Sequence, residues 1–250
     1  MSQSGLKLLA LFAMLLDHAA KTVFRTGILS QWFGMETGRM LRVAMIAAGR
    51  MAFPIFAWFA AEGCRKTSDP VKRLFRLLLF AVISEIPFQL NFYKTLSAGI
   101  HNVNFTILLA CAAIYLGAFL REKGVPDPWA GLLPGFAAVT AGWFAHTNYN
   151  AWGVALILVL NYLPDHRERL IFLGAWITVF QLIWHGWNGQ TLSWLTSDGR
   201  LQLLYWLGAM AALALLATYN GERGRGSKWL YYVFYPSHLL LLYGLTRWLT

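Results

Sequence analysis

The chain has 250 residues, of which 58% are hydrophobic and 13% charged, with a mean hydropathy of +0.49. Soluble domains run nearer 45–50% apolar and about 25% charged, so this composition excludes an ordinary soluble protein. The formal charge is +10, from 21 Lys and Arg against 11 Asp and Glu; in so apolar a chain, nucleic acid is not the reason for it.

A helix needs roughly 20 apolar residues to cross a bilayer. Taken in chain order, the candidate spans are Leu6 to Phe24, Val43 to Ala61 (interrupted by Arg50 and Pro54), Leu74 to Phe92 (with Glu85 and Pro87) and Phe105 to Leu120. Trp129 to Ala145, the short Trp152 to Leu163, Leu170 to Trp187, Leu201 to Tyr219 and Trp229 to Leu249 complete the set. The fold class is therefore an all-α polytopic membrane protein with about nine spans, in a range of eight to ten. The runs are continuously apolar, without the alternation of a β-barrel. The spans use nearly the whole chain, which reads as one domain over residues 1–250. The first span carries Asp17-His18 and precedes no small-residue cleavage pattern, so it reads as retained rather than as a signal peptide. The segment from Arg25 to Arg42 is the longest outside the spans, and suits the outer interface or a fold back over a site.

The basic excess falls on alternate loops. Thirteen Lys and Arg lie on the side of the N-terminus, seven on the other, and Arg50 inside a span. The positive-inside rule then puts the N-terminus in the cytoplasm. Cys64 and Cys111 lie in or beside apolar runs, and their separation is neither a metal nor a redox spacing.

Charges in lipid cost about 2.5–3.5 kcal/mol each on insertion scales, so those inside spans should face protein. Asp17-His18 lies about 18 Å along the first span at 1.5 Å per residue. A neutral imidazole there can take a proton from an amine or hydroxyl, or accept an acyl group itself. Adjacent helix positions face different ways, so Asp17 need not orient His18. Arg50 needs an anionic partner: Asp17, Glu85 or the phosphate of a ligand. Glu62-Gly63 leads into the basic run of Arg65, Lys66, Lys72, Arg73 and Arg76, suited to topology, anionic lipid or a nucleotide phosphate. Pro87 should kink the third span near Glu85 and leave a carboxylate beside an opened turn. Asn104 opens the fourth span, as a cap or as part of a site. His185, flanked by Trp184 and Trp187, falls near the outer side. Asn220 to Gly226 is a glycine-rich basic turn, and Tyr235-Pro236-Ser237-His238 stands in the last span.

Together these motifs are specific. Met14-Leu15-Leu16-Asp17-His18, Gly49-Arg50-Met51-Ala52-Phe53-Pro54, Glu62-Gly63, Ser84-Glu85-Ile86-Pro87-Phe88, Asn104-Phe105-Thr106, Asn220-Gly221-Glu222-Arg223-Gly224 and Tyr235-Pro236-Ser237-His238 occur in the order of the TraX family, which the chain resembles from about Gly5 to Leu245. The resemblance implies a bacterial inner-membrane acetyltransferase linked to N-acetylation of conjugative pilin, with acetyl-CoA as cosubstrate. It implies His18, Asp17 and Glu85 as the catalytic group. Arg50, Glu62, Arg65, Lys66, Arg73, Asn220, Arg223, Tyr235 and His238 would hold the CoA thioester, and Asn104 and His185 the acceptor. No metal is implied. Where related sequences read Asp-Tyr, this chain has Asn148-Tyr149, so a peptide, a glycan or a small molecule all stay open as acceptor, alongside membrane lipid as the surrounding partner. Two other function classes suit the same residues: a secondary transporter or proton-coupled carrier, and a non-catalytic pilus or envelope assembly factor.

Overall fold

The computed structural model describes residues 1–96, 99–184 and 197–249, and is all-α. Eleven α-helices are found among the described residues: α1 (Gln3–Lys21), α2 (Ile28–Phe33), α3 (Met35–Gly49), α4 (Ala52–Lys66), α5 (Pro70–Tyr93), α6 (Val103–Glu122), α7 (Trp129–Phe144), α8 (Asn150–Tyr162), α9 (His166–Thr178), α10 (Ser197–Ala217) and α11 (Lys228–Leu249). A π-helical segment, Val179–Trp184, extends α9.

Local chemistry explains the boundaries. The Ser2 hydroxyl accepts from the Gly5 amide and starts α1. Asp69 caps the Lys72 amide, with Pro70 at the first position of α5, where a missing N–H costs nothing. Asn102 caps α6 by accepting from the Asn104 amide. Pro54 falls in the first turn of α4, so it starts a helix rather than breaking one. Pro87 and Pro236 lie inside α5 and α11, and both helices continue through them.

Each expected span falls on a helix as far as the described residues go, except Val43 to Ala61, which is divided between α3 and α4, and nine is not the number of helices fit to cross alone. Three stretches are long and apolar enough to cross a membrane: Met35–Lys66 (α3 and α4 taken together), Pro70–Tyr93 and Val103–Glu122. The apolar helices Trp129–Phe144, Asn150–Tyr162 and Leu201–Ala217 are shorter. α1 has the length but carries Lys7, Asp17, His18 and Lys21. The Arg25 to Arg42 segment is mostly helical, forming a 3₁₀ turn (Val23–Thr26), α2 and the start of α3, with Trp32, Phe33, Met35 and Met40 exposed. Gly27 and Gly34 flank α2 at φ 90° and 85°, a region open to glycine at little cost.

Backbone contacts divide the chain into two compact units, Met1–Phe56 with Leu170–Thr250, and Ala57–Arg169. In the first unit α1 packs on α3 and α11, and α3 packs on α2 and α10. Small residues set these approaches: a Cβ on Gly49 would overlap Asp17, and one on Gly208 would overlap the Ala47 carbonyl. The α1 face made of Leu6, Ala10, Leu11, Ala13 and Met14 is buried. Ala19, Val23 and Leu242 form a cluster, with Leu15, Phe24, Met45 and Leu249 against it.

In the second unit α6 packs on α5, α7 and α8, and α7 on α8. Val154, Leu156, Ile157 and Leu160 of α8 are fully buried. Arg169 is buried as well, its guanidinium carbon 3.9 Å from the centroid of the Trp58 ring. A residue that reads in the sequence as a loop charge thus stacks on an aromatic face instead.

Candidate functional site

The last turn of α1 carries the polar group that the sequence singles out. Asp17 is buried, and its Oδ2 accepts from Lys21 Nζ at 2.6 Å. Lys21 stands one turn on, at the i+4 spacing that favours such a pair. That spacing is visible in the sequence, where Lys21 reads only as a loop cation. His18 turns to a different partner. Its Nδ1 lies 2.8 Å from Nε2 of His238 on α11, with the two rings stacked 5.0 Å apart between centroids.

The protons on this pair follow from what lies beyond it. His238 Nδ1 is 2.7 Å from the backbone carbonyl oxygen of Phe234. A carbonyl only accepts, so His238 Nδ1 carries the proton. In the neutral ring, His238 Nε2 is then the acceptor, and His18 Nδ1–H donates to it. His18 Nε2 becomes the basic nitrogen. The assignment rests on the hydrogen-bond network, since protons are inferred from their partners. Tyr235 stands edge-on to both rings, at 6.4 Å from His18 and 5.6 Å from His238. Phe234 stacks on His238 at 4.8 Å. The two imidazoles are thus held by aromatic walls and one backbone carbonyl.

Arg50 joins α3 to α4. Its guanidinium lies 5.1 Å from the centroid of the Tyr205 ring on α10. Its Nε is buried and donates no hydrogen bond among the described residues, and the same holds for Asp17 Oδ1 as an acceptor. Asp17, expected as a partner of Arg50, is taken by Lys21 instead. A guanidinium on an aromatic face with a donor to spare fits a phosphate or carbonyl oxygen.

The N-terminus of α1 is bound by the glycine-rich turn. The Gln3 and Ser4 amides donate to the carbonyls of Glu222 and Arg223 at 2.8 and 3.1 Å, and Asn220 N donates to Met1 O at 3.0 Å. The Asn220 side chain holds Glu222, donating to its Oε2 at 2.9 Å. Gly221 and Gly224 have φ of 78° and 69°, and a Cβ on Gly224 would overlap Ser2. The turn's carbonyls therefore face α1, in place of the amide cradle suggested by its glycines. The Arg223 side chain remains exposed.

Glu62, Arg65, Lys66, Arg73, Glu85 and Asn104 belong to the second unit. Buried Glu62 pairs with Lys66 one turn on. Arg65 donates to the Leu163 carbonyl at 3.0 Å, beyond the end of α8. Arg73 donates to the Ala60 carbonyl at 2.8 Å, and its guanidinium fills the space left open by Gly63. Glu85 accepts from Gln89 Nε2 at 2.8 Å, from His101 Nδ1 at 2.8 Å, and from the Asn102 amide and side chain at 3.1 and 2.7 Å. That carboxylate gathers the turn before α6. His101 and Asn102, which precede the fourth span and read in the sequence as ordinary loop polar residues, are its partners. Asn104 Nδ2 reaches Ser84 Oγ at 3.5 Å. His185 lies outside the described residues.

A sequence profile described as TraX protein matches residues 2–246. Among curated proteins, the chain is 28% identical over 255 residues to one from Dichelobacter nodosus described as "Probable fimbrial assembly protein FimC, serogroup H1", covering 95% of this chain and 92% of that protein. No solved structure matches. The profile match runs through nearly every residue, so the chain belongs to the TraX family, and with its apolar helices it is a multi-pass protein of the bacterial inner membrane.

Proposed function

We propose that this protein is a membrane-embedded acetyltransferase that moves an acetyl group from acetyl-CoA to an amine. The observation that carries the reading is the hydrogen-bonded series from the Phe234 carbonyl through His238 to His18, which makes His18 Nε2 a defined base. Acetyl-CoA, when bound, supplies an activated thioester carbonyl. His18 Nε2 takes the proton of the attacking amine. His238 holds the tautomer and orientation of His18, in place of a direct contact with the pantetheine arm. Asp17 and Lys21 keep the last turn of α1 polar without drawing on His18. Arg50 on Tyr205 and exposed Arg223 supply donors for phosphate or carbonyl oxygens. Glu85 works by ordering the turn before α6.

Nine crossings with a cytoplasmic N-terminus are part of this proposal, supported by the match between apolar segments and helices. His238 lies ten residues into α11 and eleven from its end, about 15 Å from either terminus. Its bond to His18, in the last turn of α1, favours a reacting depth between mid-membrane and the outer end of that helix. The relative's description as a fimbrial assembly protein favours a pilus-type subunit, with its amino group, as acceptor. The same description supports a second reading, a non-catalytic role in assembly. Initial rates with labelled acetyl-CoA, measured on purified protein in nanodiscs, separate the two. Transfer that His18→Ala abolishes is expected; transfer at the wild-type rate in His18→Ala refutes the base assignment. Mass spectrometry of envelope proteins and glycans, with and without this chain, identifies the acceptor by its lost acetyl mass.

A further inference from the structure

The chain has two cysteines, and the fold brings them together. Cys64 on α4 and Cys111 on α6 are 47 residues apart in sequence, yet their sulfurs are 3.1 Å apart. Both are reduced thiols, and they are 7% and 0% exposed. A buried cysteine on its own is most often a small apolar packing residue. Here both cysteines of the chain meet in one interior, with Cys111 among the buried residues of α6 that include Ala110, Ala113 and Ile114. A disulfide needs sulfurs at about 2.05 Å, so closure asks for about one ångström of approach between them. Beside them lies Arg73, whose guanidinium is 3.8 Å from Cys111 Sγ and is held by the Ala60 carbonyl. A cation at that position offers a counter-charge to a sulfur that attacks or leaves as a thiolate. Gly63 admits the guanidinium, since any Cβ there would overlap it.

We propose that Cys64 and Cys111 form a reversible disulfide site within the second unit. Closure breaks both S–H bonds and makes one S–S bond. Two protons and two electrons pass to a membrane-soluble quinone, which leaves as the quinol. A dithiol reductant reverses the step, itself becoming a disulfide. The burial of both sulfurs favours a small, uncharged, lipid-soluble oxidant, since a charged one would have to shed its water to approach them. The product ties α4 to α6 next to Arg73, and its formation is independent of the acetyl-transfer reading.

The full chain in nanodiscs, treated with tetramethyl-1,4-benzoquinone, tests this. Its ring is fully substituted, which disfavours addition of a thiol. After quenching and denaturation, maleimide-polyethylene glycol counts the thiols that remain. The expected result is a fall from two alkylatable thiols to none, a monomer lighter by two hydrogens, a peptide pair joining residues 64 and 111, and full recovery with dithiothreitol. Two thiols persisting after treatment overturn the proposal, as does a cross-link between chains or a product heavier by oxygen. Peptide mapping of the wild-type chain needs no variant to fold. Where Cys64→Ala does fold, Cys111 should stay alkylatable at the same dose; its loss there would assign the oxidation to something other than the pair.

Discussion

Replacing His238 with Phe removes one hydrogen-bond acceptor and keeps an aromatic ring among Phe234, Tyr235 and His18. In the wild type His18 Nδ1–H donates to His238 Nε2 over 2.8 Å. Without that acceptor a buried N–H is left unpaired, at a cost of about 1–3 kcal/mol. His18 can escape the cost by moving its proton to Nε2, which abolishes the base, or by turning its ring, which misplaces it. At 1.36 kcal/mol per tenfold in rate, the loss corresponds to about 10–100-fold in kcat. Where the orienting group of a catalytic histidine selects the wrong tautomer, the loss reaches about 10⁴, which sets the upper bound. Gln at 238 places an amide oxygen near the former Nε2, accepts the same N–H and should stay within about tenfold of wild type. Initial rates with labelled acetyl-CoA give the comparison, and ¹⁵N shifts of His18 report its tautomer directly. A folded Phe variant that transfers at the wild-type rate refutes the reasoning, and so does a Gln variant as inactive as Phe.

Three further changes test the surroundings. Asp17→Asn leaves Lys21 without its carboxylate; because the Lys21 side chain is 35% exposed, the expected loss is about 1–3 kcal/mol rather than that of a fully buried charge. Thermal unfolding in detergent measures it, and Lys21→Met in the same chain should recover part of it. Gly49→Val drives a side chain into Asp17 and should cost about 1–3 kcal/mol, seen as a lower melting temperature, whereas an unchanged one would mean that α1 and α3 are not in close contact. Glu85→Gln replaces a carboxylate that accepts from four donors with a group that has one acceptor oxygen. It should lower stability by about 1–3 kcal/mol and leave kcat per folded molecule within about threefold, so a large fall in kcat without loss of stability would return Glu85 to the catalytic group.

Much of the fold is legible from apolar run length, because a helix must satisfy its own backbone wherever lipid surrounds it. What run length cannot convey is how polar residues are shared. Arg25 to Arg42 is too polar to read as a span, yet it forms α2 and the start of α3, since exposed Trp32 and Phe33 and the glycine-flanked turns shape it. Pro87 suggests a broken helix, but α5 passes through it, and Glu85 two residues before spends its charge on His101 and Asn102. Arg169 counts as a loop cation and is buried on Trp58. For Glu85 and Arg169 the deciding contact joins residues far apart in the chain or on different helices, and no local pattern encodes it.

The same holds for the site. Asp17-His18 is legible as a polar pair where apolar residues should stand, and the resemblance implies that the two act together. Adjacent side chains on a helix diverge: Asp17 turns to Lys21, and His18 reaches 220 residues along the chain to His238. In the proposed function His238 is the group that decides which nitrogen of His18 carries a proton. The Phe234 carbonyl that fixes His238 lies one turn before it, in a helix that continues through Pro236. A backbone acceptor cannot lose its role by a change of side chain. The tautomer of the proposed base is therefore anchored to a part of α11 that substitution at Phe234 leaves in place, whereas substitution at His238 does not.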